Sequence, residues 1–348
     1  MVAGFPAGEP PAALLQLAAA GALGGFILFR RNLGTPADVA RLNGQLIAAC
    51  PGDLPPWLAV DQEGGRVARL GPPVVRLPPM RTLGDIDDPA LTLEAGAVLG
   101  RQLRLLGFNL DFAPVLDVDT NPANPVIGDR SFGREPARVV RHARAFAAGL
   151  AQAGIAACGK HFPGHGDTAE DSHLALPRLA HDLTRLRDIE LLPFAQLAQE
   201  LPCIMSAHVV FEAIDATAPA TLSRAVLHGL LRQQLGYRGV LWSDDLEMKA
   251  ISGRYGVGEA AVLAIEAGCD SLLVCADAEH TLAAHAALVA RAQDDAAFSV
   301  RLREAALRSL ATRLEYRPAA CDPAVAAERL LAEGPGELEE CIARAVRP

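Results

Sequence analysis

The stretch KHFPGHGDTAEDSHLALP, residues 160–177, gathers three of the nine histidines (His161, His165 and His173) with Lys160 and three acids around Pro163. It follows the apolar run of residues 155–158, which reads as a buried strand, and no helix or strand periodicity fits the stretch itself. A long loop at a strand end is therefore expected, the kind of place where a rigid scaffold presents reactive side chains. Three chemistries suit these residues. His161, His165, Asp167, Asp171 and His173 could ligate a metal, although neither HExxH nor a closed Cys/His set is present. The histidines could be structural, satisfied by backbone groups. Alternatively, the loop could supply an acid/base. In Asp171-Ser172-His173 an aspartate two residues before a histidine can reach the imidazole if the loop curls, fixing its tautomer and raising its basicity. An imidazole so held titrates near neutrality, where proton transfer is efficient.

Other strand ends carry comparable groups. DQEGGRV opens at Asp61 directly after the run WLAV, and its paired glycines allow a sharp turn and close approach of a ligand. A carboxylate there can accept two hydrogen bonds from neighbouring sugar hydroxyls, or simply cap a turn. The segment 117–133, DVDTNPANPVIGDRSFG, has two rigid Asn-Pro steps that could aim Arg130 into a pocket. Read alone, Arg130 could equally pair with Asp119 or Asp129 on the surface. SDDLEM, 243–248, follows GVLW, so Asp244 can serve as nucleophile or base. Adjacent residues of an extended chain point oppositely, and Asp245 is therefore expected to cap the next helix or pair with a basic neighbour.

The elements that must position these groups form a regular series. Candidate strands lie at residues 1–5, 25–29, 57–60, 109–112, 155–159, 203–206, 239–243 and 271–275. Helical patterns at 36–49, 91–106, 136–153, 183–200, 222–235, 257–267 and 280–290 alternate with them. Continuous apolar strands separated by helices imply a parallel sheet covered on both faces. Eight such repeats match an α/β fold of the (β/α)8 TIM-type barrel class, with an open doubly wound sheet as the alternative. Asp61, Lys160, His161, His208, Asp244, Asp245 and Asp277 would then ring the C-terminal face. The expected organisation is one catalytic barrel over residues 1–315, with a short helical tail, 316–348, packed on it.

Composition agrees with a large core and excludes several classes. The chain has 348 residues, 51% of them hydrophobic, and a net charge of -9. That charge opposes broad binding to nucleic acid or anionic membrane. No apolar run is long enough to span a bilayer, and the N-terminus lacks the features of a signal peptide. Seven cysteines without a CxxC spacing favour buried thiols in a reducing compartment over a disulfide framework.

Four motifs now stand in order: DQEGGRVAR (61–69), NPVIGDRSFG (124–133), the 160–177 loop and SDDLEM (243–248). Together they resemble glycoside hydrolase family 3, in its single-domain β-N-acetylhexosaminidase branch. The resemblance implies a (β/α)8 barrel and a retaining exo-glycosidase that needs no cofactor or metal. It assigns Asp244 as nucleophile and His173, assisted by Asp171, as acid/base. It places sugar contacts at Asp61, Arg69, Arg130, Lys160 and His161. The implied partner is a small GlcNAc-containing glycoside such as a muropeptide, handled in cytoplasmic peptidoglycan recycling. A monomer is expected. The alternatives are a phosphorylase, for which an imidazole acid/base suits an anionic acceptor, another β-glycosidase, and a non-enzymatic carbohydrate-binding barrel.

Overall fold

The computed structural model describes residues 1–172, 175–334 and 336–346. Eight parallel strands close into a barrel: β1 (Val2–Ala3), β2 (Gly25–Ile27), β3 (Trp57–Val60), β4 (Leu110–Asp111), β5 (Ala156–Phe162), β6 (Cys203–Ser206), β7 (Val240–Asp245) and β8 (Ser271–Val274). Strand pairing runs around the whole ring, from Val2↔Gly25 to Val2↔Leu273 at the closing seam. All eight strands coincide with the apolar runs read from the sequence, and the open-sheet alternative falls.

The barrel is filled rather than hollow. Trp57, Phe112 and Trp242 meet edge to face inside it, with ring centroids 5.2–5.7 Å apart. Helices cover the outside, and short polar residues start them. Thr35 and Asp38 form a reciprocal capping box at Pro36–Ala48. Asp88, Asp277 and Asp295 cap Pro89–Leu105, Ala278–Asp294 and Ala296–Glu315. Asp277 is thus a cap, not a member of the functional ring. Helices Pro89–Leu105 and Pro136–Gln152 pack in backbone contact. A Cβ on Gly149 would sit 2.2 Å from the Leu93 carbonyl, so only glycine fits there.

Several elements differ from the sequence reading. The pattern at 183–200 is two short helices, Leu183–Asp188 and Leu192–Leu197, separated where Glu190 turns inward to meet Arg185. The segment Ala225–Gln234 is a π-helix. Helices Ala12–Ala19 and Met80–Ile86 have no counterpart in the sequence reading. Beyond the barrel, Pro323–Glu333 buries Ala326 and Leu330, and Gly336–Val346 buries Leu338 and Ile342. All seven cysteines are free, and Cys158, Cys203, Cys269 and Cys275 are buried.

Candidate active site

A cavity of about 190 Å³ opens at the C-terminal ends of the barrel strands. Asp61, Arg69, Arg130, Lys160, His161 and Asp244 all line it. His173 lies outside the described residues. Asp171 is half-buried, and its carbonyl accepts from the Ala175 amide at 2.9 Å.

The floor is a buried charge network. Lys160 Nζ reaches Asp61 Oδ1 at 2.9 Å and Glu63 Oε1 at 2.6 Å. Arg130 grips Glu63 in a two-pronged fork, Nε to Oε2 and Nη2 to Oε1, each at 2.8 Å. Arg69 closes on the second Asp61 oxygen at 3.6 Å. Glu63 is only 1% exposed. Burial alone would raise its pKa, but Arg130 and Lys160 hold it well below the usual carboxylate range. The same pairing raises Lys160 despite its burial. The surface pairing considered for Arg130, with Asp119 or Asp129, does not occur; those acids face Arg81 and Arg66 instead.

Asp117 plays the corresponding role under the loop. Its carboxylate accepts from the backbone amides of His161 and His165, and His161 Nδ1 lies 2.7 Å from Oδ2. Burial opposes its charge, but His161 and His165 prevail and hold Asp117 below its ordinary value. That contact leaves Nε2 of His161 for the cavity. The 120–124 turn anchors the loop from the other side. Thr120 donates to Asp167 at 2.6 Å, and Asn124 donates to the His165 carbonyl at 2.8 Å. A Cβ on Gly166 would sit 1.8 Å from the Val118 carbonyl, so glycine alone lets the loop settle this closely.

The five residues weighed as a metal set are spent otherwise, as far as they are described. His165 meets Thr168 and Ser172 hydroxyls through its two ring nitrogens at 2.8 and 3.1 Å. Burial and the neighbouring His161 push it down to about 4, so it is neutral at pH 7. Asp167 pairs with His181.

Asp244 and Asp245 break the alternation rule. The β7–β8 register shifts between Trp242 and Asp245, and both carboxylates line the cavity. Among the described residues Asp245 caps no helix and has no basic partner. It accepts from the amides of Glu247 (3.1 Å) and Cys275 (3.3 Å). Burial, then Glu247 and Asp244, push it up to about 7. Asp244 accepts from the Asp245 amide at 2.8 Å. Burial works against its charge, but His208, His161 and Lys160 help hold it below its ordinary value. The two neighbours thus differ in proton affinity, and Asp244 is the ionised one at neutral pH. His208 is fully buried beneath them rather than on the ring, with Nε2 2.9 Å from the Asp245 carbonyl and Nδ1 2.8 Å from the Thr221 hydroxyl.

The loop reaches this pair. The Ala250 amide donates to the Ser172 carbonyl at 3.3 Å, and Ser172 lines the cavity together with Asp244. An ionised carboxylate, a cation-braced aspartate and the free ring nitrogen of His161 around a small polar cavity are suited to holding a polyhydroxy ligand and attacking it.

Residues 7–308 match the model of the glycosyl hydrolase family 3 N-terminal domain. The chain belongs to glycoside hydrolase family 3. As a member of that family it is a glycoside hydrolase. It is 44% identical over 262 residues to a β-hexosaminidase of Neisseria meningitidis serogroup C, covering 73% of this chain and 72% of that one. Among solved structures it is similar to a family 3 β-N-acetylglucosaminidase from Paenibacillus sp. FPU-7, with TM-score 0.88, 41% identity, and 96% and 67% of the two chains covered. It is also similar to NagZ from Neisseria gonorrhoeae in complex with N-trifluoroacetyl-D-glucosamine, with TM-score 0.78, 34% identity, and 100% and 98% covered.

Three site residues escaped the sequence reading: Glu63, Asp117 and Asp111. The last ends β4, fully buried. It accepts from the Gln62 amide at 2.9 Å, and its other oxygen has no hydrogen-bond partner among the described residues. Burial pushes it up to about 8, well above the ordinary 3.8. Its proton is favoured in the folded state, so its stabilising effect is full below about pH 4 and is lost as pH rises to about 8. Thermal melts of Asp111→Asn should show the variant gaining on the parent protein across that window, by about 1.4 kcal/mol per pH unit. A difference that stays constant with pH would mean Asp111 is ionised in the fold.

Proposed function

We propose that this protein is a retaining exo-β-N-acetylglucosaminidase. The observation that carries the proposal is the approach of the loop end at Ser172 to the segment after Asp244, with a cavity of monosaccharide scale between them and the cation-braced Asp61. The names of the similar proteins support the choice of sugar.

In the first step the ionised Asp244 attacks the anomeric carbon while His173, assisted by Asp171, gives its proton to the departing oxygen. The bond to the aglycone breaks as the bond to the aspartyl oxygen forms. In the second step His173 takes a proton from water, which displaces Asp244 and releases the sugar with its original configuration. Asp61, Lys160, His161, Arg69 and Arg130 hold the sugar hydroxyls. The unprotonated form of an imidazole is neutral, so it spares Asp244 the repulsion that an ionised second carboxylate would exert. Residues 1–315 form the catalytic unit in this reading, and 316–348 brace the barrel from outside. The natural substrate is a muropeptide-derived glycoside met in the cytoplasm during peptidoglycan recycling.

The role of His173 has a distinctive signature. A good leaving group needs little proton donation, whereas a sugar alcohol needs much. His173→Ala should therefore slow cleavage of a β-linked disaccharide by about 10²–10⁴-fold, and p-nitrophenyl N-acetylglucosaminide far less. Equal losses on both substrates would remove His173 as the acid. Free N-acetylglucosamine should be the product with or without added phosphate. Accumulation of the sugar 1-phosphate would instead identify a phosphorylase.

A further inference from the structure

A second concave site lies at the opposite end of the barrel. A groove of about 900 Å³ opens beside the starts of β7 and β8, between the π-helix Ala225–Gln234 and helix Ala296–Glu315. Arg224, Arg232, Arg238, Arg301 and Arg308 line it, together with His228. The chain as a whole carries a net charge of -9, so this concentration of guanidinium groups runs against its composition.

The carboxylates nearby do not cancel it. Arg232, Arg301 and Arg308 all converge on Asp270, whose single charge is shared among three cations. Glu266 and Asp295, also on the wall, are both taken by Arg291. Glu304 is the remaining acid on the wall. Arg224 and Arg238 are exposed and form no ion pair among the described residues. His228 registers the resulting field. Burial, then Arg224, Arg301 and Arg232, hold it below its ordinary value.

The backbone contributes an independent sign. Ten residues of π-helix are rare, and such segments recur at functional sites. This one spaces Arg224 at its N-cap, His228 and Arg232 four residues apart along the groove wall. Arg232 is fixed by donating to the Tyr237 and Gly239 carbonyls at 3.1 and 2.7 Å. Arg301 is fixed likewise by the Gly268 and Cys269 carbonyls. Those fixed groups supply positive charge at the groove wall, while Arg224 and Arg238, without a carboxylate partner among the described residues, keep the paired guanidinium donors that match phosphoryl oxygens. The volume lies in the range of small-molecule sites.

We infer that this groove is an anion-binding site for a small molecule carrying two or more phosphoryl groups. It lies on the face opposite Asp244 and does not depend on the catalytic reading. Calorimetric titration of the full chain with inorganic diphosphate should show one site per chain, weakening as salt rises. Titration with a nucleoside diphosphate distinguishes the source. Tighter binding than diphosphate assigns the site to an organic phosphate, and equal binding assigns it to the free anion. Arg224→Gln and Arg308→Gln should each weaken binding by about tenfold, with hydrolysis of a chromogenic glycoside unchanged. Arg224 is exposed and forms no ion pair among the described residues, so its replacement leaves the fold intact. Absence of heat at millimolar diphosphate, or binding indifferent to both substitutions, would overturn the inference. In the latter case the anion occupies the catalytic cations instead.

Discussion

Asp244→Asn is expected to lower turnover by about four to six orders of magnitude, because the group that attacks the anomeric carbon is lost while the cavity around it is kept. The amide is isosteric and can still accept the Asp245 amide proton, now at 2.8 Å. Binding of N-acetylglucosamine should therefore survive nearly unchanged, and the loss should fall on kcat. A smaller variant, Asp244→Gly, offers a second readout. Azide can enter from the face the carboxylate used, and the product should be the α-glycosyl azide. If Asp244→Asn retains more than about one part in a hundred of its turnover, or if azide yields a β-product, Asp244 is not the nucleophile. Asp245 is the control. Its carboxylate, up at about 7, is half protonated near neutrality and serves two backbone amides. Asp245→Asn should cost far less than Asp244→Asn.

The second large effect concerns stability. Arg130→Met removes the two-pronged partner of Glu63 and leaves a buried carboxylate with Lys160 alone, at a cost of about 3–5 kcal/mol at pH 7. The pH dependence follows from the direction of the Glu63 shift. Its folded pKa is depressed, so the stability it contributes is present above the ordinary carboxylate value and lost as pH falls. In the variant the carboxylate can take up a proton and stay neutral, so the penalty should shrink toward pH 4–5. Denaturant melts at several pH values check this. The double variant Glu63→Leu/Arg130→Met should recover much of the loss, since no charge is then stranded. A penalty that does not vary with pH, with no recovery in the double variant, would show that packing rather than charge governs the site floor.

These two sites differ in how far the sequence announces them. Asp244 closes an apolar run, as do Asp61 and Lys160, and a polar residue ending a buried strand is legible from period and composition alone. The barrel followed from the same signal repeated eight times. Glu63 carried no such mark. It sits in the short strand Gln62–Gly64, two residues beyond Asp61, and nothing local distinguishes an exposed glutamate there from one buried under Arg130, 67 residues away. Asp111 and Asp117 did have a signal, two acids set within the largely apolar segment NLDFAPVLDV, which a closer reading of charge inside hydrophobic runs would have caught. Asp245 was misplaced because the alternation rule assumes a regular ladder, and the register shift after Trp242 turns it toward the cavity. The division of the 183–200 helix depends on Glu190 meeting Arg185 in a buried position, which periodicity does not encode.

The most direct test is to trap the proposed covalent intermediate. A 5-fluoro N-acetylglucosaminyl fluoride keeps the acetamido group and slows both steps, the second more than the first. Incubation with the enzyme should add the mass of one fluorosugar to the intact protein, and peptide mapping should place it on the segment containing Asp244. A label on any other residue, or continued hydrolysis of the reagent with no adduct ever formed, would contradict the account.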